Sequence, residues 1–150
     1  MIIDTHCHIN FKAFKEDADL VIKKTLAENI WMINVGTKYE TSQQSIELAE
    51  KYSEGVYSAI GLHPMFAGAE FVKTKTDPDE GEFLLKEQEF DKEKYRQLAK
   101  SKKVVAIGEI GLDYYYKPKS ATKLAQFKEK QKRVFKEQMD LAKELNLPLI

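Results

Sequence analysis

A single cysteine in 150 residues, Cys7, has no partner for an internal disulfide, so a stapled secreted scaffold is excluded and a reducing cytoplasm is the expected setting. Net charge is absent too: 24 basic residues balance 24 acidic ones, and no global positive field draws the chain to a polyanion or an anionic lipid surface. Any polyanion binding must be local. No apolar run approaches the roughly 20 residues needed to cross a bilayer, which excludes a membrane-spanning helix. Neither a residue-level repeat nor a low-complexity tract is present, so solenoids and tails are excluded as well.

What is present is enough apolar residue, 43% of the chain, for one buried core. Short apolar runs alternate with longer amphipathic segments, the pattern of repeated β-α units around a parallel sheet. Residues 1–8, 30–36, 56–63 and 104–109 read as strands. Helices are expected over 17–28, from Thr37 to about Tyr52, over 91–100 and from about Thr122 to Asn146. Thr37 and Glu40 have capping-box spacing. The last helix carries Phe127, Val134, Phe135, Leu141, Ala142 and Leu145 on one face, and Asn146 suits its left-handed close. The polar stretch from Gly68 to Asp91 reads as a surface excursion. Residues 147–150 look like the opening of a fifth strand, and a parallel sheet that stops mid-strand leaves an unpaired edge. Residues 1–150 are therefore read as the N-terminal part of a single domain, truncated at its C-terminus.

The chemistry-bearing residues sit at strand ends. Asp4, His6 and His8 occupy alternate positions, so strict strand alternation places them on one side and Ile3, Thr5 and Cys7 on the other. An imidazole pair at this spacing can hold a divalent ion, with Asp4 as a possible orienting acceptor for a ring proton; satisfied histidines at a polar strand end are the plainer alternative. Glu109 closes the fourth strand. In a (β/α) barrel every strand delivers its C-terminal end to one face, where Glu109 would meet His6 and His8. His63, in Gly61-Leu-His-Pro64, ends the third strand on the same face and could donate to a phosphate oxygen or pack the loop. Asp113 is expected to brace the following loop. Tyr114, Tyr115 and Tyr116 could stack on a base or pack the mouth. Lys128, Lys130 and Lys132 read as a solvated helix face, and Cys7 as an inert core thiol.

Asp4-Thr-His-Cys-His8, Gly61-Leu-His-Pro64 and Gly108-Glu-Ile-Gly-Leu-Asp-Tyr-Tyr115 resemble, in order and spacing, the signature segments of the TatD family of metal-dependent deoxyribonucleases, within the amidohydrolase-like barrels. Gln131 to Ile150 is similar to that family too. The resemblance implies an α/β fold, a (β/α) TIM-type barrel represented by roughly its first half: four β-α units and the start of a fifth strand. It implies two divalent ions in the full-length protein, zinc, manganese or magnesium, with His6 and His8 on one ion and Glu109 bridging to a second. Further ligands are implied on the fifth, sixth and eighth strands, the nearest just past Ile150. By the same resemblance the full-length protein is an ester hydrolase whose substrate is DNA, cleaved at phosphodiester bonds by a metal-activated water, with Glu109 and His63 as catalytic residues. No obligate protein partner is implied. The 150 residues alone are expected to be inactive. Two alternatives stay open: a non-catalytic metal-binding fragment, and a barrel hydrolase acting on another ester or a cyclic amide.

Overall fold

In a computed structural model that describes residues 1–71 and 88–150, the alternation of apolar runs becomes a four-stranded, fully parallel sheet in the order β1-β2-β3-β4. The strands are β1 (Ile2–Cys7), β2 (Ile30–Val35), β3 (Val56–Ile60) and β4 (Val104–Ile107). Between and after them lie α1 (Ala18–Ala27), α2 (Tyr39–Ala49), the single turn α3 (Pro64–Ala67), α4 (Lys92–Leu98) and the long α5 (Ala121–Leu145). No helix among the described residues is long and apolar enough to cross a membrane.

One sheet face is covered by helices. Ile22 of α1 and Leu48 and Ala49 of α2 pack over Met32 and Val56, while Val134, Leu141 and Ala142 of α5 join Ile46, Ile60 and Ile107. Each of the larger side chains among these, valine, leucine, isoleucine or methionine, contributes about 1.5–3 kcal/mol when fully buried, which is why a helix as polar as α5 stays docked. The opposite face carries a thinner row, Val35, Ala59 and Ala106, backed by Ile33 and Ile150. Leu149 bridges Ile107 in parallel, so the expected fifth strand is present as its first contact with β4.

Three local readings need correction. The histidine- and glutamate-bearing ends of β1, β3 and β4 leave the ladder earlier than expected: the strands close at Cys7, Ile60 and Ile107, and His8, His63 and Glu109 stand on the exits. Helix α2 begins at Tyr39, and its cap is made by Thr41, whose Oγ1 accepts from the Lys38 and Thr37 amides at 3.0 and 2.9 Å; Glu40 is not the reciprocating residue. Strict alternation also fails in β1. Asp4 pairs with Met32 and Cys7 with Asn34, three residues against two, so an extra residue is bulged between them. The bulge puts Asp4 and Cys7 on the same side and separates Asp4 from the histidine pair. Of the excursion from Gly68 to Asp91, residues 72–87 lie outside the described residues; Ala69–Phe71 forms a 3-10 turn, and Asp91 caps α4.

Candidate metal centre

Two strand exits bring the site together. After Cys7, the buried Asn34 side chain accepts the Ile9 amide at 3.0 Å, which turns the chain out of β1 just past His8. At the other exit, the Gly108 amide donates to Ile60 O and the Glu109 amide to Gly36 O, both at 2.9 Å. The Gly108–Glu109 peptide is cis. Glycine is required on the neighbouring exit: a Cβ at Gly61 would stand 2.8 Å from the Gly108 carbonyl carbon, a contact side chains do not make.

The resulting geometry is compact. His6 Nε2 lies 3.3 Å from His8 Nε2 and 3.3 Å from Glu109 Oε2, and His8 Nε2 lies 3.7 Å from the same oxygen. The other carboxylate oxygen, Oε1, faces His63 Nε2 at 3.4 Å. A cavity of about 180 Å³ opens here, lined by His8, Thr37, His63, Met65, Phe66 and Glu109. Burial alone would raise the Glu109 pKa, but the hydrogen bond from His63 and the fields of His63, His6 and His8 outweigh it, holding the carboxyl below its ordinary value. Glu109 is therefore a carboxylate at neutral pH.

The histidines differ in the proton each ring nitrogen must carry. His8 Nδ1 is 2.9 Å from Val35 O, and a carbonyl can only accept, so Nδ1 holds the proton and Nε2 keeps a lone pair aimed at the cluster. His63 Nδ1 accepts the Met65 amide at 3.1 Å, so its proton sits on Nε2 and points at Glu109. His8 thus turns a lone pair, and His63 a proton, toward Glu109.

The donor set fits a divalent ion. Two nitrogen ligands held at about 2.0–2.1 Å from a tetrahedral ion stand about 3.3–3.4 Å apart, and the two imidazole nitrogens are 3.3 Å apart. His6, His8 and Glu109 each offer one atom within 4.8 Å of the others. Two imidazoles and a carboxylate suit zinc and manganese better than calcium.

Asp4 does not reach an imidazole nitrogen. Its Oδ1 accepts the His6 backbone amide at 3.0 Å across the bulge, and the orienting acceptor for His8 is the Val35 carbonyl. Asp113 braces its loop, accepting the Tyr115 amide at 2.8 Å. Tyr115 is 81% exposed and Tyr116 45%, while Tyr114 leans on Phe127 with Lys128 over its ring. Lys130 departs from the expected solvated face: its ammonium pairs with Glu70 at 2.8 Å. Cys7 lies against the helix-side core and donates to Ile33 O, and burial, with Asp4 nearby, pushes its thiol up to about 12.

Four contributors escaped the sequence reading. Phe11 stacks on the His8 ring, centroids 4.4 Å apart and planes 18° from parallel. Thr37 O accepts the His63 amide at 2.8 Å. Gln131 and Gln138, each 1% exposed, occupy the buried stripe of α5. The glutamines left a signal: Phe127, Gln131, Val134, Gln138 and Leu141 follow a 4-3-4-3 spacing, so two polar residues lie where an apolar stripe is due. Nothing local in the sequence marks Phe11 or the Thr37 carbonyl.

The chain as a whole is similar to known proteins. A family model described as TatD related DNase matches residues 3–150. The uncharacterized metal-dependent hydrolase YabD of Bacillus subtilis is 36% identical over 100% of this chain and 49% of its own length. Human deoxyribonuclease TATDN3 is 30% identical over 99% of this chain and 50% of its own length. The crystal structure of YjjV, a TatD homologue from Escherichia coli K12, superposes with a TM-score of 0.70 at 31% identity, covering 99% of this chain and 49% of that one. The chain spans about half the length of the curated relatives it matches. The parallel sheet with its outer helices accordingly has the α/β architecture of a TIM-type barrel, over about half the length of the matched structure.

Proposed function

Since the chain belongs to the TatD related DNase family, we propose that His6, His8 and Glu109 hold a divalent ion in a metal-dependent hydrolase, and that the whole protein cleaves phosphodiester bonds in DNA. The observation carrying this reading is the triangle of His6 Nε2, His8 Nε2 and Glu109 Oε2, with sides of 3.3, 3.3 and 3.7 Å. When bound, the ion would supply Lewis acidity and bring the ionisation of water close to neutral pH. In the whole protein the second oxygen of Glu109 would be available to a further cation.

The remaining roles belong to the chain. Glu109 stays ionised and supplies the negative charge that a cation needs. His63 offers its Nε2 proton beside that carboxylate, where it can donate to a phosphate oxygen. Thr37, Met65 and Phe66 wall the cavity and restrict water on that side. A cation at this point also accounts for polyanion handling by a chain of zero net charge, because the positive field is local.

The test is hydrolysis by the whole protein that carries this chain, assayed on single-stranded DNA and on panels of carboxylic esters and cyclic amides, before and after chelation. Chelator-sensitive release of nucleotides, abolished by Glu109→Ala, is the expected result. Turnover confined to amides or esters would discard the nuclease reading, and turnover unaffected by chelation would discard the metal.

A further inference from the structure

The His63 segment is gripped from behind on both sides. The Gln138 side-chain amide accepts the Leu62 amide at 2.7 Å and donates to Leu62 O at 3.0 Å, a two-point pairing with the residue just before His63. One heptad earlier on the same helix, Gln131 Nε2 donates to Pro64 O at 3.0 Å, the residue just after His63. That side chain also pairs with both backbone groups of Asp113, at 2.9 Å each, four residues beyond Glu109. A buried helix face made only of apolar residues would dock α5 at lower desolvation cost, because burying an amide is favourable only when its hydrogen bonds are made. Here five such bonds are made, and all go to the two exits that carry His63 and Glu109.

We infer that Gln131 and Gln138 are positioning residues: from the back of the sheet they fix the backbone on which His63 presents its Nε2 proton to Glu109 and to a phosphodiester. The inference rests on the reading of His63 as the site's hydrogen-bond donor. With Leu62 and Pro64 both held, and the His63 amide bound to Thr37 O, the residue has one exit direction, and its ring meets the Met65 amide in one tautomer. Gln131 adds the link to the β4–α5 loop, so a single helix sets the spacing of two exits that do not adjoin in sequence.

Long-range proton–nitrogen spectra of the metal-free whole protein, with the rings of His6, His8 and His63 assigned, make this directly readable. In the unmodified chain His63 is expected in a single form protonated at Nε2, and His8 in a single form protonated at Nδ1. Gln138→Met and Gln131→Met, close in volume but unable to pair with backbone, are expected to turn His63 into a tautomer mixture and leave His8 unchanged. Gln138→Glu, which keeps the acceptor for the Leu62 amide, is expected to retain the His63 form in part and serves if Gln138→Met does not fold. In the whole protein the Met variants are expected to lower kcat about 10- to 100-fold, the range of a small misplacement, with KM within about twofold. A single His63 tautomer persisting in the folded Met variants, or all three rings shifting together, would overturn the assignment. Failure of the hydrolase reading is distinguishable: the unmodified protein would show no turnover while the His63 and His8 contrast persisted.

Discussion

His8 and His63 carry their ring protons on opposite nitrogens, and each choice is imposed by one backbone group: the Val35 carbonyl for His8 and the Met65 amide for His63. Glu109 lies between the consequences, with Oε2 toward the lone pair of His8 and Oε1 toward the proton of His63. Two residues of one type are thereby made into an electron-pair donor and a proton donor on either side of one carboxylate.

The carboxylate charge, more than its shape, should decide cation binding. Glu109→Gln keeps the volume and removes the charge, and zinc affinity measured by competition with a chelating dye is expected to fall by more than about tenfold, at least the loss typical of changing an outer partner. Equal affinity in the two proteins would remove Glu109 from the ligand set.

Acid should erode a stability contribution from the same residue. The Glu109 pKa is lowered in the fold, so its contribution is complete above the unfolded value of 4.5 and is lost as pH falls through the folded value. In urea titrations of metal-free protein, the part of the stability difference between the unmodified chain and Glu109→Gln that comes from this shift is expected to shrink as pH drops below about 4.5. A difference that grew steadily through that range would show the sign to be wrong.

Cys7 should behave as a protected thiol. With its ionisation pushed up to about 12 by burial and by Asp4, it holds almost no thiolate at neutral pH. Maleimide labelling is expected to be slow in the folded chain and to reach its ordinary rate in denaturant. Fast labelling in the folded state would contradict the packing of Cys7 beneath α1.

Asn34 is the buried post on which the exit of β1 turns. Asn34→Ala leaves the Ile9 amide without its partner, and an unsatisfied buried donor costs about 1–3 kcal/mol. The urea midpoint should fall with an unchanged slope. Because His8 precedes Ile9, zinc affinity should weaken in the same variant even though no ligand has been changed.

Much of the fold was legible because periodicity is a local property. Alternating apolar runs gave the four parallel strands, and Asn146, at φ 53°, closes α5 as its residue type suggests. The misreadings have equally physical causes. Alternation assigns faces only while pairing is regular, and the bulge between Asp4 and Cys7 shifts the count by one, which pairing with β2 imposes and the β1 sequence does not announce. Thr41 displaces Glu40 from the cap of α2 because the helix begins one residue later than a reading centred on Thr37 allows.

The candidate site divides in the same way. His6, His8, His63 and Glu109 could be singled out from type, spacing and position at strand ends, since those features travel with the sequence. The approach of Glu109 to the histidines, the tautomer of His8 and the seat of Leu62 beside His63 depend on groups 27 or more residues away, such as Val35 O for His8 and Gln138 for Leu62. The stack of Phe11 on His8 and the bond from the Met65 amide to His63 are local in sequence but take their geometry from the folded exits. The sequence by itself determined which groups could donate, accept or carry charge. The tertiary structure alone decided which of them meet, because hydrogen bonds and ligand contacts act over about 3 Å and only the folded sheet brings separate strand exits that close.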